Sequence, residues 1–269
     1  MKTPASTGIS KVDLTGRAIL VTGASGGLGR PLALACAARG ATVVLHGRVV
    51  RKLEALYDEI VAARYPEPTI LPLDLATATA DDFGRGAAAL RAQLGRLDGL
   101  VHTAAMLGSL GPLEHQSFDS WQAVLRVNLA APMALTRSLR SLLIEAADAA
   151  IVFTLDTRAF DPRAYWGAYG ASKAGLAALA GTLADESENQ PALRVNAVVP
   201  GPIRTPMRTL THPGEDNRAN PTPESLVPLY LYLLGAQTKE DSGACFDGAA
   251  WLAGREAATA LVRSRGACP

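Results

Sequence analysis

The stretch Val21-Thr-Gly-Ala-Ser-Gly-Gly-Leu-Gly29 decides the fold, because it joins an apolar strand to a helix through closely spaced glycines. Gly23, Gly27 and Gly29 fit the pattern T-G-x-x-x-G-x-G, in which x is any residue. Glycine lets the backbone turn tightly and approach a pyrophosphate, which then lies at the positively polarised N-terminus of the helix. A glycine-rich turn without a ligand is the alternative. We predict a dinucleotide site whose contacts come from Gly23, Ser25, Gly27, Leu28 and Gly29.

Outward from this turn, short aliphatic or β-branched runs alternate with longer helical stretches. The predicted strands cover residues 18–21, 42–45, 69–73, 99–102, 150–154, 194–199 and 244–246. The predicted helices cover residues 28–38, 52–63, 82–94, 120–145, 169–186 and 224–234. This alternation predicts an α/β Rossmann fold, a doubly wound parallel sheet of about seven strands with right-handed crossovers and helices on both faces.

No linker, repeat or low-complexity segment divides the sequence, so we expect residues 1–269 to form a single dinucleotide-binding and catalytic domain. Residues 1–13 are an N-terminal extension. Residues 251–269 are a C-terminal tail, with apolar positions at Ala257, Leu261 and Val262 in roughly helical spacing. The segment 200–223 has five prolines beyond Pro200 and is too long for a simple connection. It is therefore either a substrate lid or a disordered loop.

Composition and charge exclude several classes of protein. The 269 residues carry a formal net charge of +1, with 48% hydrophobic and 19% charged residues, and charges of both signs are interleaved. We expect a small-molecule substrate and no nucleic-acid or membrane partner. Cys36, Cys245 and Cys268 are widely spaced, which is typical of reduced thiols in a cytoplasmic protein. Residues 1–13 lack the apolar core of a signal peptide, and no apolar run is long enough to cross a bilayer. The four histidines lack metal-ligand spacing, so no metal is expected.

Two short stretches after the second and third predicted strands bear on the nucleotide. In His46-Gly-Arg48, glycine stands where an NAD site would place a carboxylate for the ribose, and Arg48 could pair with a 2′-phosphate. This favours NADP(H) over NAD(H), although a solvated loop cation is the alternative. Asp74, in Leu73-Asp-Leu75, could accept a hydrogen bond from an adenine amine, and capping the next segment is its competing role.

Tyr169 and Lys173 are the strongest candidates for chemistry. They lie four residues apart at the start of an apolar helical stretch, so their side chains share one helix face. A nearby ammonium favours phenolate over phenol, which would let the tyrosine act as an acid or base nearer neutral pH. A surface Tyr/Lys pair is the alternative, and the spacing alone is common in helices.

Together these motifs resemble the short-chain dehydrogenase/reductase family, of its single-domain type, over roughly residues 13–248. The anchors of the resemblance are the stretch 22–29, Asp74, Asn128 in Val127-Asn-Leu129, Tyr169 with Lys173, Pro200-Gly-Pro-Ile-Arg-Thr205, and Phe246-Asp-Gly248. The sequences His102-Thr-Ala-Ala-Met-Leu-Gly108 and Trp166-Gly-Ala-Tyr169 look like those of an uncharacterised bacterial oxidoreductase subgroup.

The resemblance implies a role for each matched residue. Tyr169 would be the general acid in carbonyl reduction, and Lys173 would lower the tyrosine pKa and bind the nicotinamide ribose. Asn128 would hold a water in a proton relay to Lys173, with a satisfied helix-interior asparagine as the alternative. The remaining cofactor contacts that the resemblance implies are Leu75, Pro200, Ile203 and Thr205. Members of this type usually form homodimers or homotetramers.

The main departure from the family lies thirteen residues before Tyr169, where a serine usually donates to the substrate oxygen and this chain has Asp156. An ionised carboxylate only accepts hydrogen bonds, would repel a developing oxyanion, and would raise the tyrosine pKa. Three explanations stay open. A protonated Asp156 donates like a hydroxyl, Thr157 supplies the hydroxyl instead, or the chain has lost ordinary catalysis. Arg158 or Arg163 could also neutralise Asp156.

A second departure is Thr103, which stands where the family usually has asparagine after the fourth strand, with Ala105 in place of a glycine. Support of the central strand is then weakened or rerouted. The function these observations favour is an NADP(H)-preferring oxidoreductase that transfers a hydride between nicotinamide and an alcohol/carbonyl substrate. The alternative is a catalytically weakened nucleotide-binding homologue that acts in binding or assembly.

Overall fold

A computed structural model describes residues 12–236, 241–255 and 258–261 of the chain. The predicted N-terminal extension, apart from Val12 and Asp13, lies outside the described residues. So does the C-terminal tail beyond Leu261, including Cys268 and Val262.

Strands and helices alternate along the chain as the sequence pattern predicts. The strands are β1 (Ala18–Thr22), β2 (Thr42–Gly47), β3 (Thr69–Pro72), β4 (Gly99–His102), β5 (Ala149–Thr154), β6 (Leu193–Val199), β7 (Ala244–Asp247) and β8 (Ala258–Ala260). The helices are α1 (Gly29–Ala38), α2 (Val50–Ala62), α3 (Ala80–Leu94), α4 (Phe118–Leu125), α5 (Ala131–Ile144), α6 (Gly167–Glu186), α7 (Pro206–Thr211), α8 (Pro223–Leu234) and α9 (Gly248–Leu252). Short 3₁₀ turns lie at Leu113–His115, Thr157–Ala159 and Asn217–Ala219.

The eight described strands form one sheet in the order β3-β2-β1-β4-β5-β6-β7-β8, in which the first seven are parallel. The predicted doubly wound sheet is confirmed. The strand order reverses between β1 and β4, which pair from Ile19 opposite Gly99 to Thr22 opposite His102. In open parallel sheets the crevice at this reversal, outside the carboxyl ends of the strands, is where ligands bind.

Two apolar cores cover the two faces of the sheet. One core packs α1, α2 and α8 against the sheet, with Leu32, Leu56 and Leu229 fully or almost fully buried. The other packs α3, α5 and α6 against the opposite face, through residues such as Leu139 and Leu176. Because both faces are covered, the strands read as continuous apolar runs, and every residue of β1, β4, β5 and β6 is buried.

The single helix predicted over residues 120–145 differs from the structure in two ways. It begins at Phe118, and a π-helical turn at Arg126–Ala130 separates α4 from α5. Pro132 stands in the first turn of α5 and has no amide hydrogen to continue the α-helical ladder. The widened turn contains Asn128, and such π turns are frequent at functional sites.

Part of the C-terminal tail forms β8, a short strand paired antiparallel to β7, with Ala244 opposite Ala260. Ala257 and Val262, two of the three apolar positions noted in the tail, lie outside the described residues. Pairing with β8 gives partners to the backbone groups at the edge of β7.

The segment 200–223 has an ordered structure, so the disordered-loop alternative is wrong. Thr205 caps the short helix α7 by accepting from the Arg208 amide. The segment is tied to itself by an ion pair between Arg208 and Glu215 at 2.6 Å and by the Asn217 amide, which donates to Thr209.

Candidate active site

The glycine turn between β1 and α1 has no room for side chains. Gly23 has a φ of +64°, a conformation that side chains disfavour, and a Cβ added there would lie 3.0 Å from the Ala104 backbone. A Cβ added at Gly29 would lie 2.2 Å from the carbonyl oxygen of Gly23. These two residues are therefore required to be glycine by the turn itself, which brings the N-terminus of α1 against the end of β1.

The turn also presents free donors, which is the fit expected for a dinucleotide phosphate. The Ala24 amide donates to the His46 carbonyl and the Gly26 amide to that of Gly23. Among the described residues, the amides of Ser25, Gly27 and Leu28 have no hydrogen-bond acceptor. Unpaired amides at a helix N-terminus bind anions. The residues present at the turn thus fit the pyrophosphate of a nicotinamide dinucleotide.

The segment after β6 closes over this turn. A Cβ added at Gly27 would lie 3.1 Å from Cγ2 of Thr205, so the two segments are in near contact. Gly201 turns the chain with a φ of +72°, and Ile203 is buried beneath the segment. The structure therefore brings Thr205 to the glycine turn, while Pro200 and Ile203 lie earlier in the same segment.

The end of β2 places Arg48 in solvent beside a buried glycine. Gly47 is buried, and a Cβ added there would lie 3.2 Å from Cδ2 of Leu53, so a side chain at this position would require a small shift of Leu53. Arg48 is exposed and makes no ion pair or side-chain hydrogen bond within the described part of the chain. Two further exposed cations, Arg51 and Lys52, follow in the first turn of α2. This cluster was not predicted from the sequence.

Asp74 follows β3 at the same edge of the sheet. Its Oδ1 accepts from the Ala76 amide at 3.0 Å, which is the capping role weighed against adenine binding. Its second oxygen has no hydrogen-bond partner among the described residues. Leu75 beside it is buried. One carboxylate oxygen thus shapes the turn, and the other is available to a ligand.

Tyr169 and Lys173 meet at the carboxyl end of β5. The Lys173 ammonium donates to the Thr154 carbonyl at 2.8 Å and lies 5.8 Å from the centre of the Tyr169 ring. Burial lowers the pKa of Lys173 to about 8, against the opposing effect of Asp156. The pKa of Tyr169 is raised well above its ordinary value, first by burial and then by the charge and hydrogen bond of Asp156. In this site burial and Asp156 therefore outweigh any lowering of the tyrosine pKa by Lys173.

Asp156 occupies the position facing the tyrosine hydroxyl. Its Oδ2 accepts from Tyr169 Oη at 3.1 Å, and its Oδ1 accepts from the Arg158 amide at 2.8 Å. The hydroxyl of Thr157 donates to Asp156 Oδ1 at 3.3 Å, so Thr157 is bonded to the aspartate and not to the tyrosine. Thr157 as the replacement hydroxyl is wrong for this conformation.

The two arginines expected to neutralise Asp156 turn instead to Asp161. Arg158 Nη1 donates to the Asp161 carbonyl at 3.0 Å, and Arg163 Nε donates to Asp161 Oδ2 at 3.0 Å. No salt bridge to Asp156 is found in the described part of the chain. The Arg158 guanidinium also lies 5.4 Å above the ring of Trp166, a contact that the sequence did not reveal.

Asn128, in the π turn, fastens the segment after β4 to α6. Its Oδ1 accepts from the Met106 amide at 2.7 Å, and its Nδ2 donates to the Met106 carbonyl at 2.8 Å and to Ser172 Oγ at 2.9 Å. Ser172 in turn donates to the Tyr169 carbonyl at 2.7 Å. Both amide hydrogens are used, so a water held by Asn128 has only Oδ1 or the main-chain carbonyl to bind.

Support of the central strands is rerouted through two threonines. Thr22 Oγ1 accepts from the amides of Thr103 and Ala104, at 3.0 and 3.1 Å, and donates to the Val101 carbonyl. The Thr103 hydroxyl donates back to the Thr22 carbonyl. The hydroxyls of Thr22 and Thr103 thus connect the ends of the two strands, in place of the side-chain amide of the asparagine that the family usually has at position 103.

Trp166 links the catalytic helix to the segment 200–223. Its ring lies 5.7 Å from that of Tyr169 and 6.1 Å from that of His212. The contact with His212 could not be predicted from the sequence, because nothing in the residues around His212 indicates a partner for its ring.

Comparison with known proteins agrees with this geometry. Residues 17–216 match the family model of the short chain dehydrogenases. The chain belongs to the short chain dehydrogenase family. Among curated relatives, an uncharacterized oxidoreductase of Escherichia coli named YciK is 39% identical over 234 residues, which are 87% of this chain and 92% of that protein.

Solved structures of this family are also similar. A short chain dehydrogenase from Shigella flexneri, crystallised in complex with NADP, matches with a TM-score of 0.86 at 39% identity, covering 89% of this chain and 100% of that one. Another from Escherichia coli, crystallised with NADPH, matches with a TM-score of 0.84 at 39% identity, covering 87% of this chain and 97% of that one.

Membership of the short chain dehydrogenase family makes this chain an NAD(P)-dependent oxidoreductase that binds a nicotinamide cofactor. The expected similarity to an uncharacterised bacterial oxidoreductase is confirmed, and the binding-only alternative is not favoured. In the described part of the chain, none of the helices has the length and apolar character needed to span a membrane.

Proposed function

We propose that this short chain dehydrogenase is an NADP(H)-preferring oxidoreductase. It transfers a hydride between nicotinamide and the carbon of a polar double bond, and reduction of a carbonyl to an alcohol is the simplest such reaction. The observation that carries the proposal is the buried pair of Tyr169 and Lys173. Ser172, itself bonded to Asn128, donates to the Tyr169 carbonyl, and Lys173 donates to the Thr154 carbonyl. When bound, the cofactor supplies a hydride at nicotinamide C4.

The chain's own groups supply binding, orientation and the proton. The free amides of Ser25, Gly27 and Leu28 would hold the pyrophosphate, and the open oxygen of Asp74 would accept from the adenine amine. Tyr169 keeps its proton at neutral pH because its pKa is raised, so its hydroxyl is a proton donor. The Lys173 ammonium would reach the ribose hydroxyls, and the segment 200–223 would act as the substrate lid.

Preference for NADP(H) is supported by the exposed cations Arg48, Arg51 and Lys52, which make no ion pair within the described residues, and by glycine in place of a carboxylate at Gly47. The similar proteins crystallised with NADP and NADPH support the same preference. A guanidinium pairs well with a 2′-phosphate and gains nothing from a free hydroxyl. We further propose that the protein acts in the cytoplasm as a homodimer or homotetramer, as its family resemblance implies.

The test combines cofactor binding with turnover. Fluorescence titration of NADPH and NADH, and NADPH consumption over a panel of carbonyl compounds, are measured for wild type, Tyr169→Phe and Arg48→Ala. Tyr169→Phe is expected to bind NADPH like wild type and to lose turnover by roughly 10²–10⁴-fold. Arg48→Ala is expected to weaken NADPH binding by about 10–100-fold and to leave NADH binding unchanged. Wild type that fails to bind NADPH, or Tyr169→Phe that keeps full turnover, contradicts the proposal.

A further inference from the structure

Asp156 places a carboxylate where the reacting atom of the substrate must bind. Its Oδ2 lies 3.1 Å from Tyr169 Oη, while Oδ1 is occupied by the Arg158 amide and the Thr157 hydroxyl. The fixed Oδ1 contacts orient the second oxygen toward the tyrosine. A substrate atom that meets the Tyr169 hydroxyl therefore also meets Oδ2.

The charge of this carboxylate is not cancelled by a direct ion pair within the described residues. The side chains of Arg158 and Arg163 bind Asp161, and Arg158 lies over Trp166. Lys173, the other charged group close to Tyr169, donates to the Thr154 carbonyl. His212 on the facing segment has a lowered pKa, mainly through burial and Arg208, and is neutral at pH 7.

The sign of this charge discriminates between two kinds of double bond. Hydride addition to C=O places growing negative charge on oxygen, which an adjacent carboxylate opposes. Hydride addition to C=N proceeds through the protonated imine, which carries a positive charge that the free imine lacks. The N–H of this protonated imine can donate a hydrogen bond to the carboxylate. Transition-state binding, measured from the free substrate, is therefore favoured for nitrogen and disfavoured for oxygen.

We propose that the preferred substrate of this site is a C=N group, and its reduced partner a CH–NH amine, with Asp156 accepting the N–H of the protonated nitrogen. The proposal rests on the proposed NADP(H)-dependent hydride transfer and specifies its acceptor. In the reducing direction, Tyr169 or solvent donates a proton to the imine nitrogen and NADPH supplies the hydride to the carbon. The C=N π pair moves to nitrogen, and amine and NADP⁺ are formed. Asp156 holds the charged nitrogen and is not itself consumed.

Binding without turnover gives the first test. Affinities of 2-methylpyrrolidine, which is a cation at neutral pH, and of cyclopentanol, a neutral alcohol with the same number of non-hydrogen atoms, are measured by calorimetry on the apo-protein and on its NADP⁺ complex. Wild type is expected to bind the amine at least about tenfold more tightly, the range for a charge-assisted hydrogen bond. Asp156→Asn, which keeps the shape and removes the charge, is expected to lose this preference, and Asp156→Ser to reverse it.

Turnover gives the second test, with 2-methyl-1-pyrroline and cyclopentanone as an imine and a ketone that have the same number of non-hydrogen atoms. Wild type is expected to favour the imine in kcat/KM, and Asp156→Ser the ketone, with a combined change of roughly 10²–10³-fold. Glu188→Gln is the control, since it removes an exposed carboxylate just beyond the end of α6, and it should leave the preference as in wild type. A ketone preference in wild type, or amine binding equal to alcohol binding, overturns this inference alone. Failure to bind NADPH, or absence of turnover with either substrate, overturns the proposed function itself.

Discussion

At the scale of single residues, Lys173 and Tyr169 titrate in separate pH ranges. Burial lowers the pKa of Lys173 to about 8, whereas burial and Asp156 raise that of Tyr169 well above its ordinary value of 10.0. Between these values the lysine is neutral while the tyrosine still carries its proton. Loss of the lysine charge, and not ionisation of the tyrosine, should therefore limit the free enzyme as the solution becomes alkaline.

This separation predicts the pH profile of kcat/KM for reduction, which reports the free enzyme. Activity should fall as pH rises through about 8, because Lys173 is charged only below its pKa. Asp156 raises that pKa, so Asp156→Ser should move the fall to lower pH. Lys173→Met should be weakly active, with no fall near pH 8. An alkaline limit that appears only above pH 10, or that ignores Asp156→Ser, would show that another group sets the profile.

The glycines of the nucleotide turn allow a matched pair of variants. A Cβ at Gly29 would lie 2.2 Å from the Gly23 carbonyl oxygen, whereas a Cβ at Gly84 in α3 meets nothing within 4 Å. Gly29→Ala should lower the free energy of unfolding by about 1–3 kcal/mol and impair NADPH binding. Gly84→Ala should raise it by roughly 0.5–1 kcal/mol and leave binding intact. Urea unfolding and fluorescence titration measure both, and NADPH binding by Gly29→Ala at wild-type affinity would argue against a phosphate site here.

At the scale of elements, the π turn joins three parts of the molecule through one side chain. Asn128 binds both polar backbone groups of Met106 after β4 and reaches Ser172 in α6. The backbone hydrogen bonds of an α-helical turn span one residue fewer than those of a π turn. The same side chains would therefore point in different directions around the axis of an α-helix. The π turn thus sets the distance between the segment after β4 and the helix that carries Tyr169.

Removing this side chain should cost more than removing its partner. Asn128→Ala leaves the Met106 amide and carbonyl without their partners, and the free energy of unfolding should fall by about 2–4 kcal/mol. Ser172→Ala breaks one side-chain bond to Asn128 and one to the Tyr169 carbonyl, and should cost about 1 kcal/mol. Chemical denaturation compares the two. Equal costs would mean that Met106 finds new partners, and that Asn128 does not fix this segment.

The elements that the sequence predicts well are those with strong local signals. The strands and the glycine turn follow from apolar runs and from close backbone approach, and they lie where the pattern places them. The π turn has no signature of its own, because its residues also suit an α-helix. The strand β8 depends on the free edge of β7, which is a property of the assembled sheet.

The candidate site divides in the same way. Tyr169, Lys173 and Asp156 could be placed together from spacing and family resemblance, and the structure brings them together. The choice of Asp161 as partner of Arg158 and Arg163 could not be predicted, since every carboxylate in a loop is a candidate until the loop geometry is known. Burial of Lys173, which lowers its pKa, likewise depends on the whole fold.

At the scale of the whole molecule, two histidines make the fold sensitive to acid. His46 and His102 lie on the strands that flank β1, each opposite Thr22, and both are buried. His102 bonds Thr136 at 2.9 Å, whereas neither ring nitrogen of His46 has a partner among the described residues. Burial lowers the pKa of His46 to about 4 and that of His102 to about 3. Between pH 6.5 and about pH 4 these histidines are protonated in the unfolded chain, whereas in the folded protein both stay mainly neutral.

The sign of the resulting pH dependence follows from proton counts. Below pH 6.5 the unfolded chain binds protons at both positions and the folded chain does not, so stability falls as pH falls toward about 4. Each histidine contributes up to about 1.4 kcal/mol per pH unit in this range. His46→Leu removes one contribution and two unpaired polar atoms. It should raise the free energy of unfolding at pH 7 by about 1–3 kcal/mol and roughly halve the histidine part of the slope.

Urea unfolding of wild type and His46→Leu from pH 4.5 to pH 7 measures this difference directly, because the exposed carboxylates that also titrate in acid are common to both proteins. The two stability curves should diverge as pH falls, with the leucine variant always the more stable. His102→Leu is the matched comparison, since it removes a similar titration but also breaks the bond to Thr136. It should flatten the slope equally while gaining less stability at pH 7. Parallel curves for wild type and His46→Leu would mean that His46 has a partner or is reached by solvent in the native protein.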